Sequence, residues 1–129
     1  MVLGLGLEQW ADPDDPSWRR HATMAEFFKK AGVPEDQVLF WEDKKGHPDK
    51  VRKHLPEFLQ NSDEDTLFIF YYAGHGWIDE ADDFYFCHPD TDDWLGRYEL
   101  FDLIEESFEG YQVLLMADCC YSGALAREV

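Results

Sequence analysis

The stretch TLFIFYYAGHG, residues 66–76, decides how this chain folds. Its first seven residues are almost all apolar or aromatic, a pattern typical of a strand that is buried on both faces of a parallel sheet. The strand runs directly into a histidine between two glycines, His75. A second stretch, YQVLLMADCCYSG at residues 111–123, has the same plan and runs into two adjacent cysteines. We predict strands at 66–72 and 111–117, and expect the latter to be a last buried strand.

Strand and helix patterns alternate around these two stretches. Short apolar runs predict strands at residues 2–7 and 37–41, and a short strand or hairpin arm at 84–87. Alternation of this kind is typical of right-handed βαβ units. We therefore predict an α/β fold with a central, mostly parallel sheet of about four or five strands, covered by helices on both faces.

Three helices are predicted between the strands. The first begins after Ser17, its candidate N-cap, runs to about residue 31 and ends at Gly32. The others cover residues 47–60 and 98–108, and Pro56 predicts a kink or a late start in the second helix. The apolar face predicted for the first helix consists of Trp18, Ala22, Ala25 and Phe28.

Length and charge limit the classes of function. The chain has 129 residues, which fits one domain over residues 1–129. Its formal net charge is −17, and such a field repels phosphate backbones, so we expect no nucleic-acid partner. The same charge favours cationic partners, including peptides that carry Lys or Arg, although an acidic surface also serves solubility alone.

The cysteine count and hydropathy indicate the compartment. Three cysteines, two of them adjacent, are a poor disulfide framework and favour a reducing cytoplasm. No apolar run approaches the roughly 18 residues that a membrane span requires, and the apolar N-terminus lacks the basic flank of a signal peptide. We expect a cytoplasmic protein without a membrane partner.

The two loops bring a histidine and a cysteine toward one edge of the sheet, because ligand sites in such sheets lie beyond the carboxyl ends of parallel strands. A free thiol is mostly protonated at neutral pH, and a neighbouring imidazole can remove its proton to make a nucleophilic thiolate. The imidazolium can then protonate a leaving amine. The backbone amides of Gly76 and Cys120 are candidate donors to the oxyanion of a tetrahedral intermediate.

Other interpretations of these residues stay open. A histidine after a strand is often structural, and a cysteine after a buried strand is often a small apolar side chain. The cysteines could also bind zinc together with Cys87, His88 and His75, but no CxxC spacing supports a zinc site or a redox pair.

The two loops together carry a family resemblance. The segment YYAGHG at 71–76 resembles the histidine motif of the caspase and metacaspase superfamily, and DCCYSG at 118–123 resembles its cysteine motif, in the DxCxSG form of metacaspases and bacterial homologues. Cys120 lies 45 residues after His75, close to the roughly 50 expected for caspases. The QACxG form of animal caspases is absent, which favours the metacaspase-like or bacterial branch.

The resemblance implies a caspase-like three-layer sandwich and a cysteine endopeptidase that acts on peptides or proteins. By alignment, His75 is the general base and acid, Cys120 rather than Cys119 is the nucleophile, and Gly76 belongs to the oxyanion hole. Asp118 matches a pocket acid that favours Arg or Lys at P1, the residue before the cleaved bond. Metacaspases usually have a second acidic residue in this pocket, early in the first helix. Arg20 occupies that position here, which argues against strict specificity for Arg or Lys at P1.

The resemblance also bears on cofactors and partners. No cofactor is expected, but some metacaspases need calcium, and acidic residues between the motifs are compatible with oxygen ligation although they lack EF-hand spacing. These residues are Asp79, Glu80, Asp82, Asp83, Asp90, Asp92 and Asp93. The chain ends nine residues after Cys120, so it resembles the large-subunit portion without the small-subunit-like part. We expect an exposed edge on the last strand, and a small-subunit-like partner segment or a homodimer. An inactive fragment or pseudo-protease that binds partners is the alternative function.

Overall fold

A computed structural model describes residues 1–7 and 20–126 of the chain. Within these residues the chain forms seven strands and three α-helices, joined in places by short 3-10 turns. In chain order they are β1 (Val2–Gly6), α1 (Arg20–Lys30), β2 (Val38–Glu42), α2 (Pro48–Leu59), β3 (Leu67–Ala73), β4 (Gly76–Ile78), β5 (Phe84–His88), β6 (Thr91–Gly96), α3 (Arg97–Ser107) and β7 (Gln112–Asp118).

Four strands form a parallel sheet in the order β2-β1-β3-β7. The predicted α/β class and the mostly parallel central sheet are therefore confirmed. All five residues of β1 are buried, so the sheet is covered on both faces at this strand. This burial explains why the strand sequences read as continuous apolar runs and not as alternating patterns.

The main core lies between the parallel sheet, α2, α3 and β5. Alternate residues of β1 and β3 enter it from the sheet, and the helices contribute residues at intervals of about one turn. Its central side chains are Leu3, Leu5, Phe68, Phe70 and Tyr72 of the sheet, Val51, Leu55 and Leu59 of α2, Leu100 and Ile104 of α3, and Phe84 and Phe86 of β5.

Helix α1 packs against β1, β2 and β3 and buries Phe28. It ends at Gly32 as predicted, since Gly32 has a φ of +92° and the amides of Gly32 and Val33 bond back to carbonyls of the last turn. The predicted N-cap Ser17 and Trp18 lie outside the described residues. Ala22 is exposed, so the predicted apolar face is wrong at that position.

The late start that Pro56 predicted for α2 is wrong. The helix begins at Pro48, with the His47 side chain accepting a hydrogen bond from the Asp49 amide, and it continues through Pro56 to Leu59. A proline inside a helix removes one backbone hydrogen bond. The apolar face that α2 buries in the core offsets that loss.

A second, antiparallel sheet has the order β4-β5-β6. The segment 84–87, predicted to be a short strand or a hairpin arm, is the central strand of these three, and the prediction did not include its two neighbours. Residues 91–96 form an outer strand of this sheet, although they include Asp92 and Asp93. Asp93 is held by the Arg52 guanidinium of α2 at 2.8 Å, a contact that local sequence does not reveal.

The first half of β7 is exposed and residues 115–117 are only half-buried, so the prediction of a buried last strand is wrong. Val113 and Leu114 are 42% and 47% exposed, and Tyr111 just before the strand is 85% exposed. Within the described residues β7 pairs with β3 alone, so its other edge is open, as expected for the last strand. Of the three described helices, none has both the length and the apolar character needed to cross a bilayer.

Candidate active site

The register of β3 and β7 places the two reactive loops at the same edge of the sheet. Ala73 pairs with Asp118 at the carboxyl ends of these parallel neighbours, and the Gly74 amide donates to the Asp118 carbonyl at 3.4 Å. His75 and Cys120 each follow two residues after that pair. Because paired strands lie about 4.8 Å apart, the backbones that carry the two side chains leave the sheet next to each other.

Gly76 shows how closely the loops approach. A β-carbon added to Gly76 would lie 2.2 Å from the Cys120 carbonyl oxygen and 3.0 Å from the Cys119 sulfur. No side chain fits in that space, so glycine is required for this contact. The segment that begins β4 therefore passes directly over the backbone of Cys120. His75 and Cys120 are both exposed to solvent at this edge.

Tyr72 holds the loop that carries His75. Its hydroxyl lies 2.5 Å from the His75 carbonyl oxygen and 3.0 Å from that of Cys87, and donates to this carbonyl pair. The Cys87 amide also donates to the His75 carbonyl, at 3.0 Å. Burial raises the pKa of Tyr72 well above its usual range, so the hydroxyl keeps its proton. The backbone at His75 is therefore anchored to both β3 and β5.

The three cysteines differ in their surroundings. Burial raises the pKa of Cys87 to about 11. Burial, followed by the neighbouring Cys120, raises the pKa of Cys119 to about 12. Both thiols stay protonated at neutral pH and are poor nucleophiles. Cys120 is the exposed thiol of the three.

The loop after Cys120 returns to the core. Tyr121 has a φ of +60°, in the left-handed region, and its ring meets Trp77 of β4 edge-on with 6.3 Å between ring centroids. A short 3-10 helix, Ser122–Ala126, follows and buries Ala124 and Leu125. The loop is thus held at both ends, by β7 before the cysteines and by the core after them.

The two predicted pocket residues, Asp118 and Arg20, belong to different elements, β7 and α1. Asp118 ends β7 beside Cys119 with its side chain exposed, which is compatible with a role in substrate contact. Arg20 begins α1, and its side chain is not among those described. In the described part of the chain, no three His, Cys, Asp or Glu side chains converge in a way that could hold a metal ion.

One of the acidic residues between the motifs, Asp79, has several hydrogen-bond partners. The Asp79 carboxylate accepts hydrogen bonds from the Ala81 and Asp83 amides and from the Tyr85 hydroxyl. The bond from the Asp83 amide is the main cause of the lowered pKa of Asp79. These contacts close the turn between β4 and β5, so Asp79 acts locally as a turn-capping residue.

The prediction from sequence did not include two side chains that contact the backbone of the candidate loops: Tyr72, which bonds to the His75 carbonyl, and Arg97, which bonds to the Ala124 carbonyl. In the sequence, Tyr72 is one aromatic residue of an apolar strand, and its neighbours in the sequence do not indicate that its hydroxyl bonds to the carbonyls of His75 and Cys87. Arg97 did carry a signal, because a cation in the first turn of a helix opposes the helix dipole. Such a local conflict is typical of a residue that is needed elsewhere in the structure.

Neither a family model nor a curated protein was found to match this chain.

Proposed function

We propose that this chain is the catalytic portion of a caspase-like cysteine endopeptidase, with a caspase-like three-layer sandwich as its fold. His75 acts as general base and acid, and Cys120 is the nucleophile. The observation that carries the proposal is the register of β3 and β7. Because Ala73 pairs with Asp118, both loops leave the sheet at the same point. The close contact of Gly76 with the Cys120 carbonyl supports it, because the two loops touch.

The chemistry proceeds in two steps. The His75 imidazole removes the Cys120 proton, and the thiolate attacks the scissile carbonyl to form a tetrahedral intermediate. His75 then protonates the leaving amine, which leaves an acyl-enzyme that water hydrolyses. The raised pKa values of Cys87 and Cys119 favour Cys120 as the nucleophile, since it is the thiol that solvent and substrate reach.

Backbone geometry supports Gly76 as an oxyanion donor. The Cys87 amide bonds to the His75 carbonyl, so these two residues form a hydrogen-bonded pair of the β4–β5 ladder. Hydrogen-bonded and non-hydrogen-bonded pairs alternate along an antiparallel ladder. Gly76 and Phe86, the next pair, are therefore a non-hydrogen-bonded pair. The Gly76 N–H thus points away from β5. Together with the Cys120 amide it supplies the two donors that an oxyanion hole needs.

Asp118 is our candidate for P1 recognition. Its exposed carboxylate lies at the same edge as the dyad, two residues before Cys120. A carboxylate in this place favours Arg or Lys by a charge-assisted hydrogen bond. The net charge of −17 adds long-range attraction for such peptides.

The proposal is tested with fluorogenic peptides that differ only at P1, carrying Arg, Lys, Asp or Ala. We expect cleavage after Arg or Lys, and a loss on the order of 10²–10⁴-fold in kcat/KM for His75→Ala, with no turnover for Cys120→Ala. Cys119→Ala is the matched control and should cleave like the wild type. Equal activity in Cys119→Ala and Cys120→Ala proteins would refute the assignment of the nucleophile.

A partner-binding module without activity is the second candidate function. The open edge of β7 favours it, because an apolar edge strand is a ready surface for strand addition. An Arg-bearing chloromethyl ketone separates the two candidates. Modification of Cys120 that is lost in His75→Ala supports the peptidase, whereas unmodified Cys120 in a folded protein supports the binding module.

A further inference from the structure

A buried guanidinium lies beneath the loop that carries Cys120. Arg97 is 3% exposed. Its Nη1 donates to the Ala124 carbonyl at 2.6 Å, and its Nη2 donates to the Tyr98 hydroxyl at 2.7 Å. Nη2 also lies 3.9 Å from the Asp83 carboxylate, in the turn between β4 and β5. Arg97 thus joins α3, the small antiparallel sheet and the loop after the candidate nucleophile.

The position of Arg97 is unfavourable for the helix that contains it. Arg97 is the first residue of α3 and follows Gly96, an N-cap without a side-chain hydrogen bond. A cation there opposes the helix dipole, and a buried charge requires compensating contacts. The ion pair with Asp83 links this charge to the turn between β4 and β5, and the short bond to the Ala124 carbonyl links it to the loop after Cys120.

The loop itself needs an anchor. Tyr121, next to Cys120, has a φ of +60°, a conformation that a non-glycine residue keeps only when its surroundings impose it. The Ala124 amide closes a turn onto the Tyr121 carbonyl at 2.9 Å, and Arg97 holds the carbonyl of the same Ala124. The bond from Arg97 therefore stabilises the turn that sets the direction of Cys120.

We propose that Arg97 is a positioning residue that keeps Cys120 within reach of His75 by binding the Ala124 carbonyl. The inference rests on the proposed peptidase function, since it concerns the same pair of side chains. Arg97 does not touch the reacting atoms. Its effect is to stabilise the 3-10 turn Ser122–Ala126, and through Tyr121 the placement of the thiol.

The test measures alkylation of Cys120 by iodoacetamide between pH 5.5 and 9, with each cysteine resolved by peptide mass spectrometry. Thiolate is the reactive form, so the pH profile reports how strongly His75 assists ionisation. At pH 6.5 we expect Arg97→Gln to slow the reaction about tenfold and His75→Ala to slow it at least as much. Arg97→Lys keeps one charged donor and should show an intermediate effect of about threefold.

Arg52→Gln is the matched control. Arg52 also bridges several elements through Glu99, Asp49 and Asp93, and the substitution removes the same charge and similar volume. None of these contacts involves the loop after Cys120. We expect Arg52→Gln to lower the unfolding temperature but to leave the pH profile of Cys120 unchanged.

The outcomes separate the two proposals. If His75→Ala leaves the profile of Cys120 unchanged, the peptidase proposal and this inference both fail. If His75→Ala changes the profile while Arg97→Gln and Arg97→Lys do not, the inference alone is overturned. Should Arg97→Gln fail to fold, Arg97→Lys decides, and a wild-type profile in that variant overturns the inference. Alkylation rates of Cys120 that decrease from the wild type to Arg97→Lys and again to Arg97→Gln support the inference.

Discussion

At the scale of single residues, glycines determine how closely the two reactive loops approach. A β-carbon at position 76 would meet a backbone oxygen, which cannot turn aside as a flexible side chain can. Gly123, in the loop after Cys120, has open space around its backbone. The two glycines stand on facing loops, yet substitution should affect them differently.

We predict that Gly76→Ala destabilises the protein by roughly 1–3 kcal/mol, the usual cost of forcing extra volume into a packed region. The Cys120 carbonyl must move away, so peptide cleavage should fall at least tenfold. Urea unfolding and peptide cleavage check the two effects. Gly123→Ala is the matched control for stability, and we expect it to be neutral or stabilising by up to about 1 kcal/mol. Equal stability of the two variants would contradict the close contact at Gly76.

At the scale of elements, the open edge of β7 stands out from the rest of the sheet. Beside it, α3 and β7 border a largely apolar groove of about 400 Å³ lined in part by Phe101, Ile104 and Val113. Leu114 is 47% exposed on this edge strand, and Leu67 is 42% exposed on the interior strand β3. Exposure alone is therefore similar at the two leucines, and only the position in the sheet differs.

We predict that the wild-type protein self-associates with rising concentration through this edge and that Leu114→Lys suppresses the association. A lysine on an edge strand opposes pairing with a second strand. Leu67→Lys adds the same charge at similar exposure but leaves the edge intact, so it should associate like the wild type. Sedimentation velocity over a range of concentrations measures this. If both variants associate equally, the edge of β7 is not the contact surface.

At the scale of the whole molecule, two histidines join distant parts of the chain. His47 and His88 each precede a Pro-Asp pair, and their ring centroids lie 5.0 Å apart. The Nδ1 atom of each ring accepts the amide proton of the aspartate that follows, Asp49 or Asp90. The Nε2 atom of His88 donates to the Asp43 carbonyl. This network requires a neutral His88, and it connects the start of α2 to the end of β5.

We predict that the free energy of unfolding decreases as the pH falls from 7 to 5. Burial is the main cause of the lowered pKa of His88, so the unfolded chain, with a histidine pKa near 6.5, takes up the proton first. The stabilisation is complete above about pH 6.5 and is lost as the pH falls through the folded-state pKa. The loss should be on the order of 1 kcal/mol, the value of one hydrogen bond.

Urea unfolding at several pH values measures this slope. His88→Asn offers an acceptor to the Asp90 amide but does not titrate, so it should flatten the dependence between pH 7 and 5. His54→Gln, which alters a surface histidine beside Glu57, is the control and should keep the wild-type slope. A His88→Asn protein with the same slope as the wild type would show that other groups cause the pH dependence.

The sequence by itself determined the type of the elements that form the parallel sheet and the helices around it. The apolar runs that precede His75 and Cys120 were correctly predicted to be parallel strands. The predicted ends of these strands lie within one residue of the ends of β3 and β7. Periodicity likewise located α2 and α3, because both signals are local and repeat along the chain. The shared edge of the two loops followed from these strands and from the usual rule for parallel sheets.

Only the tertiary structure decided which surfaces are buried and what holds the two loops. The exposure of β7 depends on the neighbour a strand has across the sheet, and the strand at 91–96 pairs with β5 and places Asp93 beside a cation of α2. The hydrogen bonds from Tyr72 to Cys87 and from Arg97 to Ala124 join residues that are far apart in the sequence, and no periodicity indicates them. Local pattern determines helix or strand, whereas burial, edge position and buried hydrogen bonds arise from contacts between segments that the chain brings together only on folding.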